Sequence, residues 1–190
     1  MKLENEFLCL EVTEKGAEMM RLYNKETATE MLWNGDKRFW GYRAPILFPN
    51  VGNTYRKEML IEGTIYETQQ HGFARDKVFA CQEVTEERIS FSLCSDAETK
   101  QSYPFDFELH ITYELNRKTI TVLWEVRNLS NKTMYFTIGG HPGFMFQKPE
   151  ERKEDYFLYF PRVEKLIGTY VDLAYGTGYS DKKYALTLED

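Results

Sequence analysis

The chain has 190 residues, with 24 Lys and Arg against 30 Asp and Glu for a net charge of −6, and it is 42% hydrophobic and 28% charged. At about 150 residues per domain this reads as one domain, 1–190, and the apolar share excludes disorder as the main state. The acidic balance argues against a nucleic-acid partner, which needs a basic face for phosphates, and no apolar run approaches the roughly 18–20 residues that span a bilayer.

The start of the chain, Met1-Lys2-Leu3-Glu4-Asn5-Glu6, has no basic head followed by an apolar core. No secretory signal is read, and a cytoplasmic location with reduced thiols is expected. Cys9, Cys81 and Cys94 agree, being odd in number and without CxxC spacing. Residues 7–12 and 18–23 are short strand candidates separated by Lys15-Gly16. Met59 to Tyr66 reads as a hairpin turning at Glu62-Gly63, and 78–81 and 88–93 as further strands. From Phe105 to Leu115 odd positions are apolar and even positions polar, the period of a half-buried antiparallel strand. Asn116-Arg117-Lys118 predicts a tight turn and 119–127 the next strand, with Ile120, Val122, Trp124 and Val126 on one face. Asn128 to Asn131 predicts a second turn and Met134 to Ile138 a third strand, completing a meander. The glycosylation-like triplets at Asn128 and Asn131 are read as turn residues. Residues 150–155 are a charged, solvated loop, and the tail 184–190 stops while still strand-like or helix-entering, as in a chain cut short. No long segment has a 3.6-residue period, so the fold class is all-β, an antiparallel β-sandwich or barrel. The 3 Trp, 13 Tyr and 13 Phe fit either large sheets or faces that cover a sugar ring.

The chain has three histidines, and they differ in context. His110 lies on the polar face of the 105–115 strand beside Glu108 and Thr112, where solvation explains it. His71 and His141 instead sit in glycine-flanked turns, Gln70-His71-Gly72-Phe73 and Gly139-Gly140-His141-Pro142-Gly143. Such turns let backbone approach a ligand closely and fix the direction of an imidazole. A metal site is not expected, because HxH, HxxxH and a cysteine pair are all missing. Gly-x-Ser-x-Gly and phosphate-cradling glycine motifs are missing as well. Acid–base work by histidine, or hydrogen bonding to a neutral polar ligand, remains. Arg43 opens a Pro- and Gly-punctuated stretch, 43–53, that is either turn chemistry or a donor set for sugar hydroxyls. Arg75 either pairs with Asp76 or Glu67 or reaches the site.

Leu47-Phe48-Pro49-Asn50-Val51-Gly52, His71-Gly72-Phe73-Ala74-Arg75-Asp76 and Gly140-His141-Pro142-Gly143-Phe144 resemble the galactose mutarotase-like (aldose 1-epimerase) family. The likeness is greatest to its bacterial subgroup associated with lactose and galactose operons. It extends over residues 3–160, with Gly16-Ala17-Glu18, Leu22 and Met31-Leu32-Trp33 fitting the opening strands. The resemblance implies a large antiparallel β-sandwich, here apparently C-terminally incomplete. It implies interconversion of α and β anomers of a free aldose of the galactose or glucose class, without metal or organic cofactor. His141 is then the acid at the ring oxygen, and His71 a partner that hydrogen-bonds the sugar and assists proton handling. Arg75 and Asn53 fall where the family places substrate-facing donors, Asn53 replacing an Arg of several relatives with Arg56 nearby. Arg43 and Phe144 complete the candidate substrate-binding set. The family's general base is a Glu near the C-terminus, a context that neither Glu164 nor Glu189 matches. The alternative is therefore a non-catalytic carbohydrate-binding module of the same fold. A β-domain whose histidine loops are coincidental is the third reading. Exposed sheet edges would favour a homo-oligomer.

Overall fold

The computed structural model describes residues 1–148, 150–157, 159, 167–172 and 177–185. The strands in chain order are β1 (Lys2–Glu4), β2 (Leu8–Val12), β3 (Met19–Asn24), β4 (Thr29–Glu30), β5 (Ile46–Leu47), β6 (Glu58–Ile61) and β7 (Thr64–Glu67). They continue with β8 (Ala80–Val84), β9 (Arg88–Cys94), β10 (Phe107–Asn116), β11 (Thr119–Asn128), β12 (Gly139–Gly140), β13 (Ile167–Asp172) and β14 (Thr177–Ala185). Among the described residues one α-helical turn, α1 (Thr99–Ser102), and three 3-10 turns interrupt them. No helix among them is long and apolar enough to cross a membrane.

The alternation along β10 sets the core. Phe107, Leu109, Ile111, Tyr113 and Leu115 are all buried, whereas Glu108, His110 and Glu114 on the other face keep partial contact with solvent. β10 is the inner strand between β9 and β11, all antiparallel, in a four-stranded sheet ordered β11-β10-β9-β8. A second antiparallel sheet runs β1-β2-β3-β4. Leu3, Leu8, Leu10 and Val12 of the second sheet share one core with Ile89, Phe91, Leu93 and the inward residues of β10. Two sheets facing across one apolar layer make a β-sandwich. Each large side chain fully buried there contributes roughly 1.5–3 kcal/mol. The Tyr113 hydroxyl donates across the layer to the Ala17 carbonyl at 2.6 Å. A buried phenol needs such a partner, and this one ties the two sheets together.

The hairpin turning at Glu62-Gly63 forms as expected, with Ile61 opposite Thr64. Asn128 closes its turn by accepting from the Ser130 N–H at 3.0 Å. The predicted strand at 134–138 does not form. Those residues leave β11 and run beside 45–51 instead, where the Thr137 N–H donates to the Pro49 carbonyl at 3.0 Å and the Val51 N–H to Thr137 Oγ1 at 2.8 Å. Pro45 and Pro49 offer no N–H, so a continuous ladder cannot develop along that partner. Only Gly139 and Gly140 pair regularly, opposite Leu47 and Ile46. The three cysteines are free, Cys9 buried and the others exposed. Residues 186–190 of the tail lie outside the described residues, as does Glu164.

His110 sits on the outer face of β10, its Nε2 3.0 Å from Glu108 Oε2. A contact of this kind on the outer face contributes little. His110→Ala is therefore expected to change unfolding free energy by less than about 1 kcal/mol. Urea denaturation checks this, and a loss above about 2 kcal/mol would show that His110 carries a structural contact.

Candidate functional site: two histidines on one rail

The segment 43–52 forms a rail between two others. On one flank runs 139–145, with the His141 N–H donating to the Pro45 carbonyl and the Gly143 N–H to the Arg43 carbonyl, at 3.0 and 2.8 Å. On the other flank runs 71–74, where the His71 N–H donates to the Gly52 carbonyl at 2.8 Å, and Phe73 and Ala74 both donate to the Phe48 carbonyl. The rail is itself anchored by Glu18, a buried carboxylate whose Oε1 accepts from the N–H groups of Arg43 and Ala44 at 2.6 and 2.9 Å. Buried Asn50 donates to the carbonyls of Gly52 and Gln69, fixing the end of the rail to the His71 turn.

This arrangement brings His71 and His141 together from opposite flanks, their ring centroids 5.7 Å apart. His71 has φ +68°, the left-handed region, and so does Gly72 with φ +67°. The Gly52 N–H lies 3.0 Å from His71 Nδ1. A backbone N–H can only donate, so Nδ1 is the acceptor, and the proton of the neutral ring sits on Nε2. His71 thus presents one N–H donor. Partial burial, then the charge of Arg75, then that of His141 push its pKa below the ordinary histidine value of 6.5.

Arg75 lies beside His71 in the 3-10 turn Ala74–Asp76. It donates from Nη2 to the Gln70 carbonyl at 3.0 Å, lies 3.6 Å from Asp76 Oδ2 and covers the Tyr42 ring at 4.8 Å. The Tyr42 hydroxyl donates to Asp76 Oδ1 at 2.9 Å. Of the two sequence readings of Arg75, the carboxylate contact is seen, with Asp76 and not Glu67. Asn53 follows Gly52 at the rim and is half-buried, and no hydrogen bond among the described residues engages its side chain. The Arg43 guanidinium points elsewhere, against Gly35 and Met20 Sδ. What Arg43 gives the site is its backbone, which holds Glu18 and Gly143. Phe144 is 64% exposed and opposite Leu32. Alternation along this extended segment sends it to the face opposite Gly143.

Trp40, which the sequence did not single out, stands 5.1 Å from the His141 ring. Its signal was the Trp-rich stretch 33–40 just ahead of the rail in a chain with 3 Trp. Glu18 was visible in Gly16-Ala17-Glu18 of the opening strands, with no role attached to its carboxylate. Among the described residues no cluster of His, Cys, Asp and Glu fit to hold a metal occurs.

The lowered pKa of His71 has a sign for stability. The unfolded ring, near 6.5, binds its proton before the folded one does, so stability falls as the pH drops below about 6.5 towards the folded value. His71→Gln is expected to flatten the decline in urea midpoint between about pH 7.5 and 5.5. An unchanged difference between wild type and variant across that window would show that His71 is not held neutral.

The family model described as aldose 1-epimerase matches residues 1–160. Protein LacX of Lactococcus lactis subsp. lactis is 35% identical over 176 residues, 86% of this chain and 57% of the relative. The solved galactose mutarotase related enzyme from Lactobacillus acidophilus is 34% identical, with a TM-score of 0.87 over 98% of this chain and 65% of that one. A galactose mutarotase-like protein from Lactobacillus casei ATCC 334 is 36% identical, with a TM-score of 0.74 over 76% of this chain and 49% of that one. The chain spans about half to two thirds of the length of these relatives. With a family match over residues 1–160, which contain both histidine turns, the chain belongs to the aldose 1-epimerase family.

Proposed function

We propose that this chain binds a free aldohexose, of the galactose or glucose class, against the paired rings of His71 and His141 and catalyses exchange of its anomers. The observation that carries this is the pairing of two imidazoles 5.7 Å apart, one of them fixed by the Gly52 N–H as an Nε2–H donor. In this reading His71 donates to a sugar oxygen and orients the ring. His141 holds the mobile proton and delivers it to the ring oxygen. The C1 hydroxyl loses its proton to a base, the C1–ring oxygen bond breaks, and C1 becomes an aldehyde carbon. Rotation about C1–C2 and return of the protons close the ring on the other face. No redox partner is needed, because every electron pair stays within the sugar and the proton carriers. Arg75 and Asn53 serve as substrate donors at the rim, Arg43 supports the site through its backbone, and the exposed Phe144 ring lies on the opposite face of its segment. Residues 1–190 are read as one sandwich domain, supported by the single core running from Leu3 to Leu115.

The second reading, a carbohydrate-binding module without turnover, uses the same pair. It is favoured by one observation: the charges acting on His71 among the described residues are those of Arg75 and His141, not of a carboxylate. With water as the base, turnover would be about 10²–10⁴ below that of a site with both groups. Titration with D-galactose, followed on the ring-proton resonances of both histidines, tests the shared premise. Shifts of His71 and His141 with one common dissociation constant are expected. Saturating galactose that moves neither resonance would refute the site.

A further inference from the structure

We infer that Trp40 is the positioning residue for His141, and that Gly143 is the spacer that admits its indole. This rests on the role proposed for His141 above. Three contacts fix Trp40 before it reaches the histidine. Its N–H donates to the Asp36 carbonyl at 2.9 Å, and its carbonyl accepts from Trp33 Nε1 at 2.7 Å. Its ring lies 6.2 Å from that of Tyr42, whose hydroxyl is bound to Asp76 and whose face carries Arg75. The indole then meets the His141 ring at 5.1 Å, tilted by 51°.

His141 needs such a wall. It is exposed, and its backbone is pinned by one hydrogen bond to Pro45. His71 has the Gly52 N–H on its ring, but no hydrogen bond among the described residues holds the His141 imidazole. Packing against Trp40, the nearer of the two rings beside it, limits its χ rotation, with the His71 ring the other neighbour. An indole face also favours a cation beside it, which suits a ring that carries the mobile proton. Gly143 makes room for this contact. A Cβ there would lie 3.0 Å from Trp33 Cβ and 3.1 Å from Trp40 Cζ3, so any larger residue pushes against the indole. The Trp33 indole braces the same place from behind through its bond to Trp40.

The test combines a spectroscopic readout with kinetics on the full chain. In wild type the ring protons of His141 feel the indole ring current. They are expected to move downfield in Trp40→Leu and in Gly143→Ala, and to stay near the wild-type position in Trp40→Phe. In polarimetry with α-D-galactose, Trp40→Leu and Gly143→Ala are expected to lose about 10–100-fold in kcat with KM within threefold. Trp40→Phe is expected to recover most of that loss, which a merely structural role would not produce. Unchanged His141 resonances in Trp40→Leu overturn the inference even if the protein turns over sugar. So does a Trp40→Phe variant as impaired as Trp40→Leu, or a loss confined to KM. If wild type shows no turnover, the function proposed above fails, and the resonances still decide whether Trp40 positions His141.

Discussion

His141→Asn is expected to lower the acceleration of galactose mutarotation by about 10²-fold or more, while galactose affinity stays within a few-fold of wild type. The asymmetry follows from geometry. Asn keeps a polar group near the place of the imidazole but cannot carry a proton to the ring oxygen near neutral pH. His71 cannot take over that task. Its Nδ1 is occupied by the Gly52 N–H, and burial, Arg75 and His141 all hold its pKa below the ordinary value. Calorimetric titration gives the affinity and polarimetry the rate. A variant that loses binding but keeps its residual rate would assign His141 to binding alone.

Gly72→Ala is expected to destabilise the fold by about 3–5 kcal/mol. The added Cβ would stand 2.2 Å from the Phe48 carbonyl oxygen, 2.4 Å from its carbon and 2.6 Å from Pro49 N, all backbone atoms of the rail. No side-chain rotation relieves that contact, and φ +67° adds strain for an L side chain. Gly63→Ala is the control, since φ there is +83° but nothing lies within 4 Å of the new Cβ. It is expected to cost about 1 kcal/mol. Urea denaturation of both variants separates the clash from the backbone strain. Equal losses would mean that the rail moves aside easily, and that His71 is not rigidly placed.

Strands whose apolar residues alternate were legible in the sequence because one face meets the core. β10 shows this at each odd position, and the hairpin at Glu62-Gly63 adds turn chemistry to the same pattern. Residues 134–138 were misread because they are apolar enough for a strand. What decides their path is a partner that has Pro45 and Pro49 in place of two donors. Both histidine turns were legible through their glycines. Their meeting was not, because it depends on two flanks of one rail brought together over about 70 residues of chain. Arg43 illustrates the limit of motif reasoning. Its side chain turns to Gly35 and Met20, and its backbone is what the site uses. Trp40 shows the converse, a residue outside the motifs that reaches the site through packing.

The most direct measurement is polarimetry of freshly dissolved α-D-galactose with the 190-residue chain, its His141→Asn variant and buffer. The two-histidine account predicts faster decay of rotation with wild type, and decay close to the buffer rate with the variant. Equal rates for folded wild type and buffer would contradict it.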